Sequence, residues 1–240
     1  MYRKHFAAAT LRNRLAKLTL LVCSVCLSGV APAQTTKSPY PKMAPIQNYL
    51  MDRSADVALA RSAAPASISG HASVMVLTSH GYETAVKGSN GFVCVVERSW
   101  AAGTDDPDFW NPKVRAPICF NAAAAKSQIP IMIKRTELIL AAPSKDHLLQ
   151  GIKAAFAGNQ LSEPAPGSMC FMMSRQGYIN DRARNWHSHV MFYVPLTDTA
   201  NWGANLPGSP VLGAKDIPDR NAVFFIPVTR WSDGSVSPPL

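Results

Sequence analysis

The stretch GFVCVVERSW, Gly91–Trp100, is apolar on both faces through its middle, and so is SVMVLTS, Ser73–Ser79. A strand whose alternate side chains are apolar on both sides has to be covered on both sides. This restricts the chain to folds that pack a sheet between layers. The Asn90-Gly91 pair ahead of the first run is a turn signal, and YETAVKG between the two runs reads as a weaker strand. Three more strand-like runs, SMCFMMS, HSHVMFYV and AVFFIPV, close the chain, with Pro227 pushing the last toward an edge or an early end. The order is helix, strands, helices, strands. Grouped rather than alternating elements predict an α+β fold, a single domain over 46–240 whose mostly antiparallel sheet is covered by a few helices.

The helices are read from caps and periodicity. Ile46, Leu50, Val57 and Ala60 fall near helical spacing after Pro45, which predicts a helix from Pro45 to Ala63, stopped by Ala64-Pro65. A short helix is expected after Asn121, and Pro130 suits the first turn of a second one that ends before Pro143. Ser144 makes a good N-cap, and Leu148, Leu149, Ile152, Ala155 and Phe156 form an apolar stripe closed by Gly158. The stretch AAGTDDPDFWNPKVRAP is too rich in Gly, Pro and Asp for regular structure and reads as a long surface loop, as does NWGANLPGSPV near the end.

The first residues have a different character. Arg3, Lys4, Arg12, Arg14 and Lys17 precede the uncharged run LTLLVCSVCLSGV, and Ala31-Pro32-Ala33 presents small residues where a signal peptidase reads. This predicts a cleavable signal peptide over 1–33, cut before Gln34, and so a periplasmic or secreted protein. Residues 34–45 are Pro-rich and polar and are expected to form an extended, mobile leader. Without the signal the balance falls to 19 basic against 15 acidic side chains, and the basic ones are scattered. No nucleic-acid footprint is visible, and no second apolar segment long enough to span a membrane follows the signal. Three cysteines then remain, and in an oxidising compartment Cys94 and Cys119 are the expected disulfide, leaving Cys170 buried in MCFMMS.

No HExxH, GxSxG, phosphate-cradling GxxxxGK[ST] or SxxK motif is present, and CxxC occurs only within the signal. The most suggestive residues are in NWHSHVMFY, Asn185–Tyr193. If this run is extended, Trp186, Ser188, Val190, Phe192 and Val194 share a core face, while His187 and His189 project together from the other. Two imidazoles at this spacing can chelate a divalent transition metal when further ligands are close. Candidates are His80, His71, Glu97 and Asp181. The plainer account is a semi-polar sheet face. The preceding loop offers Tyr178, Asp181, Arg182, Arg184 and Trp186 as ligand-binding candidates, since binding residues concentrate on loops held by rigid strands. Glu97 and Arg98 lie on opposite faces of their strand and, with Ser99 and Trp100, are expected at its wet end. A thiol nucleophile, Cys170 or Cys94 beside His187 or His189, is a further option that oxidation and apolar surroundings disfavour.

The blocks HGYETAVKGSNGFVCVVERSW, RAPICFNAAA and NWHSHVMFYVPLTDTANWGANLPGSPV resemble those of exported bacterial proteins with no assigned activity. The resemblance implies export and a single domain, and it supplies no cofactor or catalytic residue. Three readings follow. The first is a non-catalytic module binding a small molecule or envelope component around His187 and His189. The second is a metal-dependent, hydrolase-like enzyme centred on that pair, and the third a structural, envelope-associated protein.

Overall fold

The computed structural model describes residues 38–238, so the signal peptide expected over 1–33 and its cleavage site lie outside the described residues. Eight strands form one sheet: β1 (Ser73–Thr78), β2 (Gly81–Val86), β3 (Val93–Glu97), β4 (Ala116–Phe120), β5 (Met169–Met172), β6 (His189–Pro195), β7 (Leu212–Asp216) and β8 (Asn221–Pro227). Their order is β2-β1-β3-β4-β5-β6-β8-β7, antiparallel throughout except for the β1–β3 pair. The fold is therefore α+β with a mostly antiparallel sheet, as the grouping of elements implied.

Both faces are covered, each by a different helical layer. Helix α1 (Arg53–Arg61) and the short α2 (Ala66–Ser69) lie on one face, where Leu59, Ala60, Ala63 and Ala64 pack on Val74, Cys94, Val96 and Cys119. Helix α3 (Ala122–Ala141) covers the other face, with Ala124, Ile129 and Met132 against Val95, Ile118, Phe120, Met191 and Tyr193. Helix α4 (Lys145–Ala157) stacks outside α3. Its Leu148, Ile152 and Phe156 close an aromatic cluster with Trp100, Phe109 and Trp110, each such side chain contributing about 1.5–3 kcal/mol by leaving water. Gly151 lets the two helices meet, since a Cβ there would sit 2.4 Å from a Leu138 methyl.

The cap prediction for α4 holds: the Ser144 hydroxyl accepts from the His147 amide, and Gly158 ends the helix. The disulfide also holds, with Cys94 and Cys119 directly opposed on β3 and β4.

Several expectations are corrected. The first helix does not run from Pro45 to Ala63. A 3-10 turn, Ile46–Tyr49, is followed by extended Leu50, and α1 starts only after Asp52, whose carboxylate takes the amides of Ser54 and Ala55 at 2.9 and 3.0 Å. The two helices expected around Pro130 are one, with the proline inside it. Ala116–Phe120, partly within the presumed surface loop, is instead a fully buried central strand, and Leu212–Asp216 forms the sheet's last strand. From Ser38 onward the leader is irregular yet tied down: Ser38 bonds the Pro107 carbonyl, and Tyr40, Met43 and Ala44 pack on the aromatic cluster. Among the described residues no helix is long and apolar enough to cross a membrane.

Arg98, Ser99 and Trp100 do not mark a wet end, being only 1–2% exposed. Arg98 points into the α1 layer, where Nη2 pairs with Asp56 Oδ2 at 2.9 Å and Nε donates to the Tyr49 carbonyl at 2.8 Å. A buried guanidinium is tolerable only with such complete pairing.

Candidate functional site

The Asn185–His189 segment enters the sheet later than its pattern suggests. Strand β6 begins at His189, and residues 186–188 are laced instead to the C-terminal segment. Ser188 Oγ donates to the Arg230 carbonyl at 2.6 Å, the Val228 amide donates to the Ser188 carbonyl at 2.8 Å, and the Ser188 amide reaches Ser237 Oγ at 3.3 Å. The faces of β6 are the reverse of those expected. His189, Met191 and Tyr193 are the buried set on the α3 side, whereas Phe192 on the other face is 38% exposed.

The two imidazoles consequently do different things. His187 Nδ1 lies 3.1 Å from the Pro238 carbonyl, and His189 Nδ1 lies 2.7 Å from the His187 carbonyl. A carbonyl only accepts, so each Nδ1 carries a proton. Burial holds the His189 pKa down at about 4, with the bond to the His187 carbonyl opposing the shift. The Trp186 ring stands edge-on to both, 5.9 Å from His187 and 4.6 Å from His189, and His189 also faces Phe225 at 5.9 Å. His189 thus belongs to an aromatic cluster, while His187 opens to solvent.

The expected metal partners do not gather around the pair. His71 and His80 flank β1, which stands four places from β6 in the sheet, or about 19 Å at the usual strand spacing. Asp181 is engaged elsewhere, accepting from Tyr178, from Tyr40 at 2.6 Å, from Lys113 at 2.9 Å and from Asn111 at 3.3 Å. These bonds, Tyr178's first, hold its carboxyl well below the ordinary range. Glu97 lines a half-open recess beneath α3. Among the described residues no three His, Cys, Asp or Glu side chains converge on a point that could hold a metal ion. The thiols are no closer to a nucleophilic role. Cys94 is in the disulfide, and Cys170 is buried, 3.5 Å from the Tyr193 hydroxyl, with its pKa pushed up by burial.

The segment does line an open cleft of about 630 Å³, to which Asn185, Trp186 and His187 contribute together with Arg175, Trp231, Val236 and Pro238. Trp231 is fixed by a tight turn: its amide donates to the Ser235 carbonyl at 2.8 Å and its own carbonyl accepts from the Gly234 amide at 3.0 Å. Asp233 completes that turn by accepting from the Ser235 amide at 2.9 Å, and it meets Arg175 at 3.5 Å. Of the sequence candidates, Trp186 and His187 line the cleft. Arg182 and Arg184 are exposed on the loop that leads into it, while Tyr178 and Asp181 are tied up in the neighbouring network. Trp231 and Arg175 were not among the candidates. The Asp233-Gly234 pair marks the turn in the sequence, yet the placing of Trp231 in the same cleft as Trp186 is tertiary and leaves no local signal.

No protein-family model, curated protein or solved structure matches the chain.

Proposed function

We propose that the chain is an exported, non-catalytic binding module whose ligand lies between Trp186 and Trp231. The observation that carries this reading is the cleft itself. It has the volume of a small-molecule site, two indoles offering flat apolar surface, and an exposed guanidinium in its lining. Arg182, Arg184 and Arg230 lie on the two segments that frame it. Against them stand Asp233, which holds the turn, and Asp181, which is spent on Tyr40, Tyr178 and Lys113. An anion with a flat or ring-shaped apolar face suits such a surface, because guanidinium groups bind carboxylates in a forked geometry and indoles stack on ring faces. Acidic saccharides of the cell envelope share that chemistry with aromatic carboxylates. Export agrees with the disulfide, since thiols pair durably outside the reducing cytoplasm.

A thermal-shift series tests the reading, because a ligand that binds only the folded state raises the midpoint. Uronic-acid oligosaccharides and aromatic carboxylates are each set against neutral counterparts of the same size. An anionic member is expected to stabilise the wild type and to lose about tenfold in affinity in Arg175→Ala, the worth of one charge-assisted bond. Trp231→Ala should weaken it similarly. Equal stabilisation by the neutral counterparts, or none by any member, overturns the assignment.

A further inference from the structure

A second, half-open recess of about 140 Å³ lies between the sheet and α3, walled by Glu97, Met132, Arg135, Tyr193, Asn221 and Phe225 among others. It adjoins a further space of about 290 Å³ that shares Glu97, Ala101 and Phe225 as walls. At roughly 30 Å³ per liquid water the smaller part holds about five waters, or a molecule of a few heavy atoms.

The polar groups on its wall are unevenly satisfied. Arg135 is committed: Nη1 meets both Asp219 oxygens at 3.0 and 3.1 Å, Nε donates to the Trp100 carbonyl at 2.9 Å, and Nη2 donates to the Ala102 carbonyl at 2.6 Å. Asp219 is neutralised by that contact. The carboxylate of Glu97, a half-buried residue, has neither a hydrogen bond nor an ion pair from any described residue, and desolvation pushes its pKa up to about 7, with Arg135 pulling the other way. Asn221 is only 2% exposed, and its side-chain oxygen also lacks a partner, although its amide donates to the Asp219 carbonyl at 3.2 Å. Two acceptors are thus left over in one recess, one of them an unpaired carboxylate, and the wall also carries Gln128, Tyr193 and Asp216 beside the apolar Ile131, Met132, Met191, Val223 and Phe225.

That combination selects among ligands. An inorganic divalent cation takes a shell of several oxygens, and among the described residues no three carboxylates converge to supply one. An organic cation needs only one carboxylate plus apolar or aromatic wall for its carbon, and a ring such as Phe225 attracts its charge. We propose that this cavity binds a small organic cation, a primary ammonium or guanidinium of a few heavy atoms, ion-paired to Glu97 with its carbon against Phe225 and Met132. The groups that set the charge around Glu97 are Arg135 from α3, Tyr193 from β6, Asp216 and Asp219 at the β7–β8 end, and Asp106 and Asp108 from the loop before β4. This site is separate from the Trp186–Trp231 cleft and stands or falls without it.

Calorimetric titration of the full chain with propylammonium, guanidinium and, as the uncharged control, n-propanol tests the proposal. At pH 8 at least one cation should bind saturably and n-propanol should not. Glu97→Gln should weaken the cation about tenfold or more, as expected for loss of a charged partner. At pH 7 the wild type should release a proton on binding, seen as a dependence of the heat on buffer ionisation enthalpy that Glu97→Gln lacks. Phe225→Leu, which keeps the carboxylate, should weaken binding as well, and Trp231→Ala should leave it unchanged. No cation heat in the wild type, equal affinity in Glu97→Gln, or no proton release at pH 7 overturns the proposal and leaves a hydrated pocket.

Discussion

His189 shows how a single side chain can be legible as chemistry and misleading as position. Its residue type suggested a ligand. Its place, 5% exposed beside Trp186 and Phe225 with Nδ1 on the His187 carbonyl, makes it a neutral core ring. The folded pKa of about 4 lies below the ordinary 6.5, so between those values the unfolded chain binds a proton that the fold refuses. Its contribution to stability is complete above pH 6.5 and is lost as pH falls toward 4, by about 3 kcal/mol in all if the full shift acts. Glu97 and Asp219, raised to about 7 and about 6 by burial, act in the opposite sense as pH falls. The comparison that isolates the histidine is therefore between wild type and His189→Phe. Urea midpoints of the two should diverge in favour of the variant as pH drops from 6.5 to 4. Parallel curves would show that the imidazole is charged or solvated in the fold. Arg98 makes the converse point: a charge in the sequence signals water, and only Asp56, 42 residues away, reveals that it is buried.

The elements were legible where one signal dominated. Helix α4 has both a cap and an apolar stripe, and β1 and β3 have dense β-branched runs, so local preference and tertiary role agree. Helix α3 was misread for a physical reason. Its buried positions are Ala124, Ser127, Gln128, Ile129, Ile131, Met132, Arg135, Thr136 and Ile139, so four of the nine facing the core are polar and the apolar periodicity is blurred. Two of those polar groups bond outside the helix, Thr136 taking the Trp100 indole proton at 2.9 Å and Arg135 pairing with Asp219, while Ser127 and Gln128 bond within it. Pro130 remains within it, without an amide for the Lys126 carbonyl. Replacing it restores that bond and relieves the ring's clash with the preceding turn, worth up to about 3 kcal/mol. A more flexible unfolded chain offsets about 0.4–1 kcal/mol of this. Pro130→Ala should accordingly raise the urea midpoint by the equivalent of about 1–2 kcal/mol. An unchanged or lower midpoint would mean that the ring's packing outweighs the missing bond. Strands β4 and β7 escaped notice because Pro117 and Gly213 interrupt them, and strand pairing overrode composition.

At the scale of the molecule, the α+β class followed from the grouping of elements, while the order of the strands did not. Nothing local says that β3 leaves its neighbour β2 to pair with β1, or that β8 inserts between β6 and β7. The candidate sites inherit that blindness. The cleft joins the loop before β6 to the turn after β8, and the Glu97 cavity gathers β3, α3, β6 and the β7–β8 end, so each site exists only once the sheet is assembled. The chain carries five tryptophans, and they report conveniently on where a ligand lands. Trp100 and Trp110 are buried, Trp202 is 57% exposed and stacks on Phe224, and Trp186 and Trp231 alone line the cleft. Nuclear magnetic resonance of the five indole N–H groups during titration with an anionic, ring-bearing ligand therefore addresses the proposed function most directly. Saturable shifts confined to Trp186 and Trp231, and abolished in Arg175→Ala, are the predicted result. Shifts centred on Trp202, or an unmoved Trp186–Trp231 pair while the ligand binds, would contradict it.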